Sequence, residues 1–390
     1  MTTTAPGAAV SFGIARQLEI YQTGSAVPVG AEALELRARE ALPPEVFDYL
    51  SGGAGGEDTM RANLDAFRRW RIEPRMLRDL SRRDWRTSVL GLELRAPVLL
   101  APVGVQGIMH PDGELATARA AASLGVPLVL STVSSFPLEE VARVMGPAPH
   151  WFQLYWSADP DVTASLLERA ERAGYGAIVV TVDTPLLSWR ERDLAHGYSP
   201  FLLGHGLANY LGDPAFRASL ERPPEEDPAG AIRRFAEVFG NAALSWRDLP
   251  FLRRHTRLPV LLKGILHPDD AGRALDAGAD GIVVSNHGGR QVDGAVASLD
   301  ALPRVIERVG GRVPVLFDGG IRRGADAFKA LALGAAAVLL GRLYAWGLAV
   351  AGERGVREVL LNFLADLDLT FGLSGCASVA EVDRSCLRRE

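Results

Sequence analysis

AIVVTVD, residues 177–183, is an almost unbroken apolar run that ends on a carboxylate, and two later stretches repeat the pattern: PVLLKG (259–264) and GIVVSN (281–286). A strand with one wet face alternates apolar and polar residues. A strand covered on both faces reads as a continuous apolar run, as in a parallel sheet flanked by helices. Working outward from these three, five more short runs appear: Pro97–Pro102, Val126–Ser131, Trp151–Tyr155, Pro314–Asp318 and Ala337–Gly341. Helical patterning fills intervals between them, at Gly113–Leu124, Pro268–Ala277 and Arg323–Leu333, where Gly334 is a helix stop. Strand–helix alternation over eight strands predicts the α/β class and a (β/α)8 TIM barrel. An open doubly wound sheet is the alternative, because periodicity does not show closure. No G-x-G-x-x-G follows the first strand to support a dinucleotide fold.

Most intervals between strands are about 20–35 residues, but Asp183 to Pro259 is about 75. Roughly fifty residues, about 195–250, are therefore inserted after the fourth strand. Two readings stand for them: a lid over the strand ends, or a surface excursion or subunit contact. Residues 1–95 read as a largely helical N-terminal segment with a glycine-rich break at SGGAGGED. Residues 96–373 form the barrel, and 374–390 a C-terminal tail. With no repeat beyond the βα unit and no low-complexity linker, one elaborated domain is expected.

Composition narrows the function classes. A net charge of -5 gives no basic footprint for nucleic acid. The only cysteines, Cys376 and Cys386, lie near the C-terminus, which disfavours a disulfide framework or a cysteine metal site. The longest apolar run, Ala330–Gly341, has 12 residues, too short for a bilayer, which needs about 18–20. MTTTAPGAAVSFGIARQ lacks a basic start followed by an apolar core, so a cytoplasmic protein without a membrane partner is expected. Of 42 basic residues only Lys263 and Lys329 are lysine. Lys263 ends a buried-looking strand, and an ammonium differs from a guanidinium in size and in how its pKa responds to burial.

Active sites of barrels gather at the C-terminal ends of the strands. That filter collects Ser131, Gln153, Tyr155, Thr181, Asp183, Lys263, Ser285, His287, Arg290, Asp318, Gly320, Gly341 and Arg342. The sharpest segment is SNHGGRQVDG (285–294). His287 is backed by two glycines that allow close backbone approach, and Arg290 can present a fork to a carboxylate. An imidazole beside a guanidinium suits proton abstraction from a substrate held by its carboxylate. Asp183 is a candidate partner that would hold His287 and stabilise its imidazolium. His110, His150, His255 and His267 read as structural. The second segment, FDGGIRRGADAFKALALGA, offers backbone N–H groups and Arg322 to an anion, with Arg342 one unit later, where barrels commonly bind phosphate. Lys263 admits two uses, a Schiff base or an ammonium that stabilises developing negative charge.

The SNHGGRQ and DGGIRRG blocks, in this order and spacing, are highly specific. The chain resembles, from about Leu42 to about Leu373, the FMN-dependent α-hydroxy-acid oxidase and dehydrogenase family. The resemblance implies FMN as cofactor, with a small 2-hydroxy acid and O2 as substrates. It implies His287 as the catalytic base with Asp183 its partner, and Arg190 (in SWRERD) with Arg290 as the pair holding the substrate carboxylate. Tyr49 and Tyr155 match the family's two active-site tyrosines, and Lys263 the residue at the flavin N1–C2=O edge. Pro102, Val103, Gly104, Ser131, Gln153, Thr181 and Ser285 match flavin-contacting positions. Asp318, Gly320, Arg322, Gly341 and Arg342 match the ribityl and phosphate contacts.

The long insertion, SWR-x-RD and Gly104 are most similar to the lactate 2-monooxygenase branch, which implies oxidative decarboxylation. A simple oxidase releasing H2O2 and a dehydrogenase with another acceptor are the alternatives. A homo-oligomer, tetramer or octamer, is also expected. Val133 stands where glycolate oxidase has a pocket Trp, and Leu343 replaces the usual Pro after Gly341-Arg342, a change expected to affect loop stiffness. Outside the family, a Schiff-base aldolase or a non-catalytic phosphate-ligand-binding barrel are the other classes weighed.

Overall fold

Closure, which the apolar runs leave undecided, is settled by register. In the computed structural model, which describes residues 11–390, Val338, Leu339 and Leu340 pair in parallel with Val98, Leu99 and Leu100. The last strand thereby returns to the first. The barrel strands are β1 (Val98–Leu100), β2 (Leu128–Leu130), β3 (His150–Tyr155) and β4 (Ile178–Thr181), then β5 (Val260–Lys263), β6 (Gly281–Val284), β7 (Val315–Phe317) and β8 (Ala337–Leu340). Each pairs with its chain neighbours in one closed ring.

Both faces of these strands are dry, which explains the missing alternation. Leu99, Val129, Trp151, Val179, Leu261, Val283, Leu316 and Leu339 fill the interior with Val89 and Leu94. The last two come from a hairpin, Thr87–Val89 against Leu92–Leu94, that stoppers the end of the barrel where the strands begin. The alternate residues, such as Val180, Leu262, Ile282 and Phe317, face the surrounding helices. The predicted helix Gly113–Leu124 is found with those limits, and the other two span Pro268–Asp276 and Gly324–Ala332. Local chemistry starts them: Asp159 accepts from the N–H groups of Asp161 and Val162 ahead of Pro160–Arg172, with proline in the first turn.

The N-terminal segment holds helices Phe12–Thr23, Ala31–Ala41, Pro44–Ser51 and Asp58–Arg68, broken at the glycine-rich stretch; its residues 1–10 lie outside the described residues. Two features were not legible as strands. Trp70–Ile72 pairs antiparallel with Leu387–Arg389, so the tail folds back onto the N-terminal segment. Leu343 corrects an expectation: it is buried in the first turn of the helix Arg342–Leu373, so there is no loop at that position for it to stiffen.

Candidate functional site

The C-terminal ends of the strands open into a cleft of about 1090 Å³, counting solvent at its mouth. Tyr49, Pro102, Val103, Gly104, Tyr155, Arg190, Lys263, His287, Arg290, Asp318, Gly320, Arg322, Gly341 and Arg342 all line it. Ser131, Gln153, Thr181, Ser285 and Asp183 lie immediately behind, joined to the lining or to one another by hydrogen bonds. Gln153 accepts from Ser131 Oγ (3.2 Å) and donates to Thr181 Oγ1 (2.9 Å), and Ser285 accepts from Lys263 Nζ (3.0 Å).

His287 follows β6 in a left-handed conformation, φ +58°, which costs free energy for a residue with a Cβ and persists only where surroundings over-determine it. Those surroundings are visible. Its N–H donates to Ser285 Oγ (3.0 Å), and Asn286 beside it exchanges two 2.8 Å amide hydrogen bonds with Asn63 of the N-terminal segment. The imidazole Nδ1 lies 2.9 Å from Asp183 Oδ1 and Nε2 lies 3.5 Å from the Tyr155 hydroxyl. Burial alone would raise the Asp183 carboxyl, but His287, Lys263 and Thr184 hold it below its ordinary value. An ionised Asp183 accepts from Nδ1–H, which leaves the Nε2 lone pair directed toward the cleft. Burial lowers the His287 pKa, Asp183 partly restores it, and Lys263 and Arg190 depress it further.

Arg290 Nη1 donates to the carbonyls of Tyr49 (2.7 Å) and Gly52 (2.8 Å), and the guanidinium lies 5.3 Å from the Tyr49 ring centre. Arg190 is braced by Ser188 Oγ at 3.0 Å. Burial, aided by Arg190, pushes Arg290 down to about 10, still cationic near neutrality. Two cations at one end of a cleft call for an anion between them.

A second group of cations, joined to Arg290 through the shared Gly52 carbonyl, repeats that logic. Arg342 donates to the carbonyls of Gly288 (2.9 Å) and Gly52 (2.8 Å), and Arg322 stacks 4.9 Å from the Trp346 ring centre. Burial and the neighbouring Arg290 and Arg322 drive Arg342 well below its ordinary value. Gly319 and Gly320, at φ +114° and +86°, approach Ser298 and Asn63 so closely that a Cβ at either would sit within 2.8 Å of them. Lys263 contacts Asp318 Oδ2 at 3.1 Å; burial would lower its pKa, but Asp318 and Asp183 hold it above the ordinary value. Two buried polar atoms of lining residues lack a partner, Asp318 Oδ1 and Arg342 Nε, and a third, Asp183 Oδ2, lies behind the lining. Unsatisfied groups converging on one cavity are the mark of a polar ligand.

A model of FMN-dependent dehydrogenases matches residues 38–389. The chain belongs to that family. It is similar to an FMN-dependent α-hydroxy acid dehydrogenase of Penicillium citrinum, 44% identical over 389 residues (97% of this chain, 96% of that one). It is also similar to an L-lactate oxidase of Lysinibacillus sphaericus, 45% identical over 352 residues, covering 90% of each. A crystal structure of a mandelate oxidase superposes with a TM-score of 0.83 at 43% identity, covering 93% of this chain and 99% of that one. The protein is therefore an oxidoreductase whose cofactor is FMN, and the cleft fits it: guanidiniums and bare glycine N–H groups for a phosphate, an unpaired carboxylate oxygen for a hydroxyl, an ammonium deep inside. Among the described residues, no helix is long and apolar enough to cross a membrane and no metal-binding cluster is present.

Met109, Leu187, Phe201 and Phe239 also line the cleft, and sequence reasoning did not single them out. Filtering on strand ends picks out polar residues and glycines shortly past a strand, and these four are apolar and lie six or more positions beyond one. The histidines read as structural stand apart from the lining: His150 packs edge-on to Tyr175 at 4.6 Å, and His267 caps the helix Pro268–Asp276.

Proposed function

We propose that the protein oxidises an L-2-hydroxy acid of lactate type to the 2-keto acid, with molecular oxygen as second substrate. The observation that carries this reading is the His287–Asp183 pair, 2.9 Å apart, presenting a free imidazole nitrogen to a cleft that also holds Arg190 and Arg290. Arg190 and Arg290 bind the substrate carboxylate, and Tyr49 and Tyr155 orient its oxygens. His287 accepts a proton at Nε2, and the resulting imidazolium is stabilised by Asp183. FMN, when bound, supplies the acceptor for two electrons. Pro102, Val103, Gly104, Ser131, Gln153, Thr181 and Ser285 are assigned to hold its ring system. Asp318, Gly320, Arg322, Gly341 and Arg342 are assigned to its ribityl chain and phosphate. Lys263 stabilises negative charge in the same cavity. Held as an ammonium by Asp318 and Asp183, it is ill suited to act as a Schiff-base nucleophile.

The proposed outcome is oxidative decarboxylation. Oxidation of the hydroxy acid by O2 gives keto acid and H2O2; if both are retained, peroxide converts the keto acid to the shortened carboxylate, CO2 and water. The inserted segment, which contributes Phe201 and Phe239 to the cleft, and Gly104, a position at which the chain is similar to the lactate 2-monooxygenase branch, support this reading. Product analysis on L-lactate tests it: acetate and CO2 are expected in step with oxygen uptake. Stoichiometric H2O2 with intact pyruvate would instead assign simple oxidase chemistry.

Asp183→Asn gives a second test with a defined sign. Asp183 raises the His287 pKa, so its neutralisation lets that pKa fall further. The acid limb of the kcat/KM profile is expected to move to lower pH, and the rate above it to drop by about 10²-fold because the imidazolium loses its counter-charge. A limb that stays put or moves up would contradict the assignment.

A homo-oligomer, tetramer or octamer, is proposed on the exposed apolar side chains Leu186, Trp189, Leu202, Leu203 and Val292. A cytoplasmic site is proposed on the two buried free thiols of Cys376 and Cys386.

A further inference from the structure

The inserted segment is tied to the barrel by a satisfied polar network. Asn209, fully buried, accepts from Leu138 N–H (2.8 Å) and donates to the Thr132 carbonyl (2.9 Å) in the loop after β2. Asp213, also fully buried, accepts from Ala215 N–H (2.9 Å), Ser165 Oγ (2.7 Å) and Arg169 Nη1 (2.8 Å). Arg169 further donates to the Asn209 carbonyl (2.7 Å) and to Glu139 (2.8 Å). Buried polar groups that are all paired specify one arrangement rather than several. Gly206 adds close contact, since a Cβ there would lie 2.8 Å from Val105 Cγ2.

From this anchor a train of rings leads to the cleft. Tyr210 packs on Phe235 (4.9 Å between centres), Phe235 on Phe239 (5.0 Å), and Phe239 on Phe201 (5.6 Å). Phe239 then meets Tyr155 at 5.1 Å and Phe201 meets Tyr49 at 6.5 Å. Tyr49, Phe201, Phe239 and Tyr155 thus form one aromatic arc, and all four line the cleft. Its two ends are the tyrosines assigned to the substrate oxygens. Its middle, Phe201 and Phe239, presents no polar side-chain atom to the cleft.

We propose that Phe201 and Phe239 form a fixed apolar wall, held by the Asn209–Asp213–Arg169 network, that selects 2-hydroxy acids with an apolar side chain over those with hydrogen or a charged group. The inference rests on the 2-hydroxy-acid reading above and names the substrate class of that site. Phe201 and Phe239 are specificity residues; Asn209 is a positioning residue that acts through them. An apolar pocket gains about 10-fold or more per buried methylene and rejects a carboxylate that finds no partner.

The test is anaerobic flavin reduction by the FMN-loaded protein with glycolate, L-lactate, L-2-hydroxy-4-methylpentanoate and L-malate, together with calorimetric binding of the corresponding 2-oxo acids. The two apolar acids are expected to exceed glycolate and malate by at least about 10-fold in kcat/KM, and their oxo acids to bind correspondingly tighter. Phe201→Ala and Phe239→Ala should each shrink that advantage by about 10-fold, read as the ratio of kcat/KM for the apolar acids to kcat/KM for glycolate in the same variant. Asn209→Ala should shrink it in the same direction, and an unchanged ratio there would remove the network from the proposal. Equal use of all four acids, or an advantage untouched by both phenylalanine substitutions, would overturn the wall. If no 2-hydroxy acid reduces the flavin, the underlying reading fails, and the wall with it.

Discussion

His287→Ala is expected to slow flavin reduction by L-lactate by well over the roughly 10²–10⁴-fold attributed to a general base. The excess comes from electrostatics: the imidazolium formed on proton transfer would also offset negative charge developing in the cavity, and that charge is lost together with the base. Only Nε2 is free for this task, because Nδ1 lies 2.9 Å from an ionised Asp183. No other described histidine lines the cleft, so none can substitute. The fold should survive, since the backbone N–H of residue 287 keeps its bond to Ser285 and the Asn63–Asn286 pair is untouched. Stopped-flow bleaching of the bound flavin, with FMN content measured on the same sample, separates loss of chemistry from loss of cofactor. A rate within about tenfold of the unmodified protein would contradict the assignment of His287 as base.

Much of this site was legible because one physical rule does most of the sorting. A strand dry on both faces announces itself as a run such as AIVVTVD or GIVVSN, and in a closed parallel barrel the residue just past each run faces the cleft. That is why Lys263, His287, Asp318 and Arg342 were found from pattern alone. Tyr49 and Arg190 were not reachable this way: they come from the N-terminal segment and from the connection after β4, ahead of the insertion, and only resemblance pointed to them. Phe201 and Phe239 escaped both routes. Phe201 lies in a single helical turn with no period to read, and Phe239 caps the helix Pro228–Val238, whose period shows a buried face but not what it covers; their place at the cleft depends on Asn209 and Asp213 pairing with groups far away in the chain. The Trp70–Ile72 and Leu387–Arg389 pair was hidden for a similar reason. Two three-residue strands more than 300 residues apart leave no local signal.

The same dependence on distant contacts makes Arg290 the most exacting test of how the site recognises its substrate. Arg290→Leu is expected to lower kcat/KM by roughly 10²–10³-fold, chiefly through KM, as befits loss of a buried charge-assisted contact worth about 3–4 kcal/mol. Arg290 is under electrostatic pressure: burial and Arg190 together push it down to about 10, and the negative charge of a substrate carboxylate offsets both. Arg290→Lys keeps the charge but not the fork. One arm of the guanidinium is committed to the carbonyls of Tyr49 and Gly52, and the other nitrogens remain to meet the substrate. An ammonium cannot hold both carbonyls and present a planar pair of donors at once. The lysine variant should therefore recover only a small part of the lost affinity. It should also disturb Tyr49, whose ring lies 5.3 Å from the guanidinium, and so lower kcat as well as raise KM. Titration of each FMN-loaded variant with pyruvate isolates the binding component. If Arg290→Lys binds pyruvate as tightly as the unmodified protein, the carboxylate is held elsewhere and the assignment of Arg290 falls.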